Sequence, residues 1–171
     1  MPALEWSDAL SLDLPLMDDT HQEFVVLLAA VRTAPDADLL AHWSTLIDHT
    51  DDHFGREDAW MAQTRFASSN CHSVQHKVIL QVMREGLAAG QTGELGVVRQ
   101  MANELAIWFP QHAQTMDAAL ALHLRRTGFD PETGIVHAPD ALPEGFVHGC
   151  GGSSCSDSET PQPASRIPEP A

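Results

Sequence analysis

The sequence predicts an all-α protein: an antiparallel, up-down-up-down four-helix bundle with an irregular N-terminal arm and a flexible C-terminal tail. Three observations predict it. Four segments carry apolar residues spaced alternately by three and four positions, the period of a helix with one buried face. The connections between them are short, which makes successive helices antiparallel neighbours. No β-strand competes for the core.

Residues 1–17 read as an arm containing Trp6 and Pro15, laid across the domain. The first helix is expected to start near Asp18, Asp19 and Thr20, residue types suited to an N-cap. Its inward stripe is His21, Phe24, Leu28 and Val31, and "TAPDAD" ends it. The second helix, about 36–64, has the clearest period, with Leu39, Trp43, Leu46, Thr50, His53, Glu57 and Trp60 along one seam. Leu40, Ile47, Phe54 and Met61 widen that seam. After "RFASSN" a third helix covers about 71–89, with His72, His76, Ile79 and Met83 inward, and "AAGQTG" closes it. The fourth, about 93–126, places Leu105, Phe109, His112, Met116, Ala119 and His123 inward. Pro110 lies inside it and lacks the N–H that would bond the Ala106 carbonyl, so a kink is expected there. Beyond Gly128 the composition turns to Gly, Ser and Pro. The expected organisation is arm 1–17, bundle 18–130 and a disordered tail 131–171 without means of packing.

The chain has 171 residues, 43% of them hydrophobic and 19% charged, which suits one globular domain. Its formal net charge is −15, and a surface so acidic repels nucleic-acid phosphates and anionic headgroups. The N-terminus lacks the pattern of a signal peptide. The longest apolar run, "FVVLLAAV" at 24–31, is too short to insert into a membrane. Three cysteines are too few for a disulfide scaffold, and a cytoplasmic protein is expected. Histidine is the anomaly: ten, against nine lysines and arginines.

Those histidines fall on the inward stripes. His21 lies at the start of the first helix, His53 and Glu57 are one turn apart on the second, and "HSVQH" puts His72 and His76 one turn apart on the third. "HAQTMD" offers His112 and Asp117 on the fourth, although plain helical spacing from His112 favours position 116. Imidazoles and carboxylates on core-facing seams are costly unless something satisfies them, and one shared metal cluster would satisfy all of them. Five imidazoles and two carboxylates exceed the needs of one tetrahedral zinc. On two six-coordinate ions they leave one position open, once a shared solvent-derived oxygen is counted. Imidazole mixed with carboxylate suits iron.

The pieces "LMDDTHQEF", "HFGREDAWM", "HSVQH" and "WFPQHAQTMD", with Trp6 ahead of them, resemble the hemerythrin family in its single-domain bacterial form. The resemblance runs from residue 6 to about 125. It implies two iron ions joined by an oxo or hydroxo bridge, with His72, His76 and His112 on one and His21 and His53 on the other. Glu57 and Asp117 would bridge them, and Asp117 rests on this family pattern. The iron with two histidines would have the vacancy for O2, which takes one electron from each ferrous ion. Trp43, Leu46, Ile79, Leu105, Trp108 and Met116 are nominated as the apolar wall around O2.

The implied function is reversible O2 binding for carriage, storage or delivery, with O2 and an oxygen- or metal-accepting protein as partners. A di-iron enzyme acting on peroxide or NO, or an iron-storage or metal-trafficking module, remains an alternative. His49 reads as a flanking histidine, His42 and His123 as exposed or lightly packed, and Cys71 as an inert thiol. "HGCGGSSC" places His148, Cys150 and Cys155 in the tail, either as incidental groups or in a metal or redox role.

Overall fold

Pro15 sets the start of the first helix. Its locked φ suits the first helical position, where its missing N–H would have no partner anyway, and α1 runs Pro15–Thr33. This is three residues earlier than the acidic cluster suggested. Asp18 holds the arm instead of capping the helix: its two oxygens accept the Ser11 hydroxyl and the Leu12 N–H, each at 2.7 Å. The arm itself is irregular apart from a 3-10 turn at Asp8–Leu10. In this computed structural model the described residues are 4–66 and 71–145.

Three further long segments complete the bundle. Helix α2 covers Asp36–Gln63 and buries every residue of the expected seam, from Leu39 to Trp60. Thr50 is tolerated there because its hydroxyl donates to the Leu46 carbonyl at 2.7 Å. Helix α3, Cys71–Gln91, buries His72, His76, Leu80 and Met83, while Ile79 is half-buried. Trp43 Nε1 donates to the Met83 carbonyl at 3.0 Å, joining α2 to α3. Gly90 lets α3 approach its neighbours, since a Cβ there would meet Leu40 at 2.5 Å and Val98 at 3.0 Å. Successive helices pack side by side and the last returns against α1, which closes the bundle.

The fourth segment is not one regular helix. Helix α4 covers Leu95–His112, a π-helical turn follows at Ala113–Asp117, and α5 continues through Ala118–Thr127. Pro110 lies inside α4, three residues before the π turn begins. The wider turn shifts the inward face by one position. Met116, Ala119 and His123, expected inside, are half-buried, and Asp117, Leu120 and Leu124 are buried in their place.

Two apolar clusters result. One contains Phe24, Leu28, Trp43, Leu46, Met83, Val98 and Phe109. The other gathers Leu14, Met17, Trp60, Met61, Leu120 and Leu124, with Phe129 beneath them. Phe129 belongs to a small antiparallel hairpin, β1 Phe129–Asp130 with β2 Ile135–Val136. Gly128 turns the chain into it at φ +57°, a conformation that suits glycine. The compositional boundary near residue 130 therefore lies inside a folded hairpin, and a 3-10 turn at Pro139–Ala141 follows it.

Cys71, expected as an inert thiol, is disulfide-bonded. The tail group His148, Cys150 and Cys155 lies outside the described residues. No helix among the described residues is long and apolar enough to cross a membrane.

The hairpin's contribution is measurable. Phe129 is 5% exposed and closes the second apolar cluster. Phe129→Ala should cost about 3 kcal/mol of stability, the usual loss for a large core aromatic. Urea unfolding checks it, and a loss under ~0.5 kcal/mol would show that the hairpin does not support the bundle.

Candidate metal centre

The π turn answers a question that helical spacing left open. In an unbroken α-helix, residue 117 would lie about 140° around the axis from residue 112. The wider turn brings Asp117 back to the His112 side, and His112 Nε2 lies 3.1 Å from Asp117 Oδ1.

Seven side chains converge in a layer between the two apolar clusters. Glu57 Oε1 lies 3.1 Å from His53 Nε2 and 3.9 Å from His21 Nε2. Its other oxygen, Oε2, is 3.4 Å from both His72 Nε2 and His76 Nε2. Asp117 divides its oxygens in the same way, with Oδ2 3.3 Å from His21 Nε2 and Oδ1 2.9 Å from His72 Nε2. Each carboxylate therefore faces two imidazole sets at once: His21 with His53, and His72 with His76 and His112. Glu57, Asp117, His21 and His72 are fully buried.

The charges in this layer are strongly coupled. Burial pushes both carboxyls up, but the imidazoles around them hold Glu57 and Asp117 well below the ordinary carboxylate range. Burial pushes His72 down, yet the approach of Asp117 and Glu57 outweighs it and raises the ring to about 9. The same competition raises His21 and His76. At His112 burial wins, and the ring is held below its ordinary value.

Hydrogen bonding leaves much of the layer unsatisfied. His21 Nε2, His72 Nε2, His76 Nε2, His112 Nε2, Glu57 Oε2 and both Asp117 oxygens are buried without a hydrogen-bond partner. Orphaned lone pairs aimed at one another are expensive in a protein interior, and cations between them would satisfy them. Two groupings could each hold a metal ion: Glu57, His72, His76, His112 and Asp117, and His21, His53 and Glu57. They share Glu57. The donor set of imidazole and carboxylate fits a borderline divalent metal such as iron.

The remaining nominated residues are spread unevenly. Trp43, Leu46 and Leu105 belong to the first apolar cluster, and Ile79 and Trp108 pack against it. Met116 belongs to neither cluster and is half-buried. His49 Nε2 pairs with Glu23 at 3.2 Å, and burial holds its ring below the ordinary value. His42 is exposed, and His123 Nε2 faces the Thr64 carbonyl at 2.9 Å. Two groups escaped the sequence reading. Asp58 faces His76 Nδ1, and Gln75 faces His112 Nδ1, pairings that depend on how α2, α3 and α4 pack.

Fold and site together define a helical-bundle protein with a buried histidine and carboxylate cluster able to hold metal. The family model for the hemerythrin HHE cation binding domain matches residues 12–122. The chain belongs to the hemerythrin family. It is 35% identical over 130 residues to a bacteriohemerythrin of Ralstonia nicotianae, covering 76% of this chain and 95% of that one. A bacteriohemerythrin of Pseudomonas paraeruginosa is 25% identical, over 69% of this chain and 79% of its own. A myohemerythrin of Sipunculus nudus is also 25% identical, over 66% and 86%. No solved structure matches the chain at a significant level.

The metal-free protein has a pH signature. The stability His72 gains from its raised value is fully present below its ordinary 6.5 and is lost as pH rises through about 9. The carboxylates act oppositely, contributing fully above their ordinary 4.5 and 3.8 and losing that contribution as pH falls toward their depressed values. The Tm of metal-free protein should therefore peak in mildly acidic solution and fall between pH 6.5 and 9. A Tm maximum above pH 8 would contradict this account.

Proposed function

We propose that the chain binds O2 reversibly at a non-haem di-iron centre, and that its task is oxygen carriage, storage or delivery. The observation that carries this reading is the division of Glu57 and Asp117, each with one oxygen toward either imidazole set. In this reading His72, His76 and His112 would hold one iron and His21 and His53 the other, with Glu57 and Asp117 available to both. Ferrous ions held there would supply the electrons that reversible O2 binding calls for.

The chain's own residues provide the surroundings that reversibility needs. The His21 and His53 side has one histidine fewer than the other, and in this reading it is the side where O2 would bind. His21 stands edge-on to Phe109 at 5.2 Å, and Phe109 stacks on Phe24 at 4.5 Å. With Leu46 beside them in the same cluster, these rings keep water from that side. A dry wall suits a small apolar gas and disfavours the escape of charged oxygen products. An iron store would call for further ligand groups, and among the described residues the only clusters are the two sharing Glu57.

The experiment is optical. The protein is loaded with iron, reduced anaerobically, exposed to O2 and then degassed. A charge-transfer band that appears and disappears over repeated cycles is the expected result. Irreversible conversion to the diferric form, or peroxide or NO turnover outpacing O2 release, would replace the carrier with an enzyme.

The π turn gives a second test. Exchanging the neighbours, Met116→Asp with Asp117→Met, moves the carboxylate to the half-buried position. Iron content should fall to about half or less, with helicity by circular dichroism unchanged. Full iron retention would remove Asp117 from the ligand set.

A further inference from the structure

The two halves of the cluster are unequally supported. On one side His76 Nδ1 lies 3.0 Å from Asp58 Oδ1, and His112 Nδ1 lies 3.2 Å from Gln75 Oε1. Phe54 lies flat on the His76 ring, centroids 3.9 Å apart and planes within 6°. Trp108 stacks on the His112 ring at 4.4 Å with the planes inclined by 25°. On the other side neither His21 Nδ1 nor His53 Nδ1 has a hydrogen-bond partner, whereas on the first side only His72 Nδ1 is buried without one.

Taking the dinuclear reading as given, we propose that the two ions enter in order. The pocket of Glu57, His72, His76, His112 and Asp117 takes one divalent cation first. Asp58 and Gln75 act as positioning residues that aim His76 and His112 into it. The His21, His53 and Glu57 pocket fills second.

The physical basis is preorganisation. An imidazole whose Nδ1–H donates to a fixed oxygen has its tautomer settled and its Nε2 lone pair free for a metal. A ring clamped between that bond and a stacked aromatic loses little freedom when the metal arrives. Two of the five donors of the first pocket are held this way, against none of the imidazoles in the second. Asp58 is free for the task because its neighbour across the same surface cleft, Arg84, is engaged by Asp51 at 2.8 Å. A cation in the first pocket would steady Glu57 and Asp117 from that side, while Glu57 Oε1 already faces His21 and His53 and Asp117 Oδ2 faces His21.

The test titrates the metal-free full chain with Co2+, followed by calorimetry and by the visible ligand-field bands. Wild type should show two unequal events, the tighter first. Asp58→Ala should weaken the first event about 10–100-fold, the range for lost partners of metal-bound histidines, and shift its visible band. Asp58→Asn keeps an acceptor oxygen and should recover most of the affinity. Gln81→Ala changes the same cleft without touching an imidazole or releasing Arg84, since its amide donates to Glu85, and should leave both events as in wild type. Circular dichroism confirms that each variant is folded. Two equal binding events in wild type, wild-type affinity in Asp58→Ala, or no recovery in Asp58→Asn would each overturn the proposal. A wild-type total of one Co2+ would defeat the dinuclear reading instead, and the Asp58 variants would still decide the positioning claim.

Discussion

Two carboxylates with no solvent exposure sit side by side in the middle of this bundle, and the rest of the structure is arranged around that constraint. An unpaired buried carboxylate costs several kcal/mol even after relaxation, and a second beside it adds repulsion. Glu57 and Asp117 persist because imidazoles arrive from every long helix: His21 on α1, His53 on α2, His72 and His76 on α3, His112 on α4. One helix could supply only a pair on one face. Convergence from four is what an antiparallel bundle offers, since every helix turns a seam to the same axis. The apolar clusters above and below then fix the helices closely enough for the polar layer to keep its geometry.

The π turn shows how far that constraint reaches into the backbone. A regular α-helix through 113–117 would keep all its hydrogen bonds and turn Asp117 away from His112. The chain instead adopts a rare wider turn there, of the kind that occurs mostly at functional sites. The change does not end at the site. Leu120 and Leu124 pack into the second cluster only because the register has moved by one residue, so the irregularity serves the ligand set and the core together.

This also separates what could be read in the sequence from what could not. The α2 seam was legible because a regular helix projects each buried residue at the same spacing, and Leu39 through Trp60 all fall where the period puts them. The expected fourth stripe matched through His112 and then slipped, because a period carries no sign of the turn that resets it. Asp117 came from the family pattern, and its physical reason is visible only in the backbone. Pro15 was passed over as a helix start in favour of the acidic residues after it, whose first member binds the arm. The hairpin at 129–136 was hidden in a turn-rich composition, where two-residue strands give no period at all. Asp58 and Gln75 were invisible for another reason: each supports a histidine on a neighbouring helix, a relation that sequence spacing does not encode.

Charge gives the cluster a setting as well as a cost. With a net −15 the whole molecule attracts cations, and a field of that sign raises their concentration near the surface. The field alone would be indiscriminate, drawing sodium and magnesium as readily as iron. Discrimination has to come from the interior, where five imidazoles outnumber two carboxylates. Hard cations gain little from such a nitrogen-rich set, while borderline metals gain much. The acidic exterior and the histidine-rich interior thus divide the work of metal acquisition. The long-range charge collects ions without distinguishing them, and the buried layer, held in shape by its two apolar neighbours, retains those whose coordination chemistry it matches.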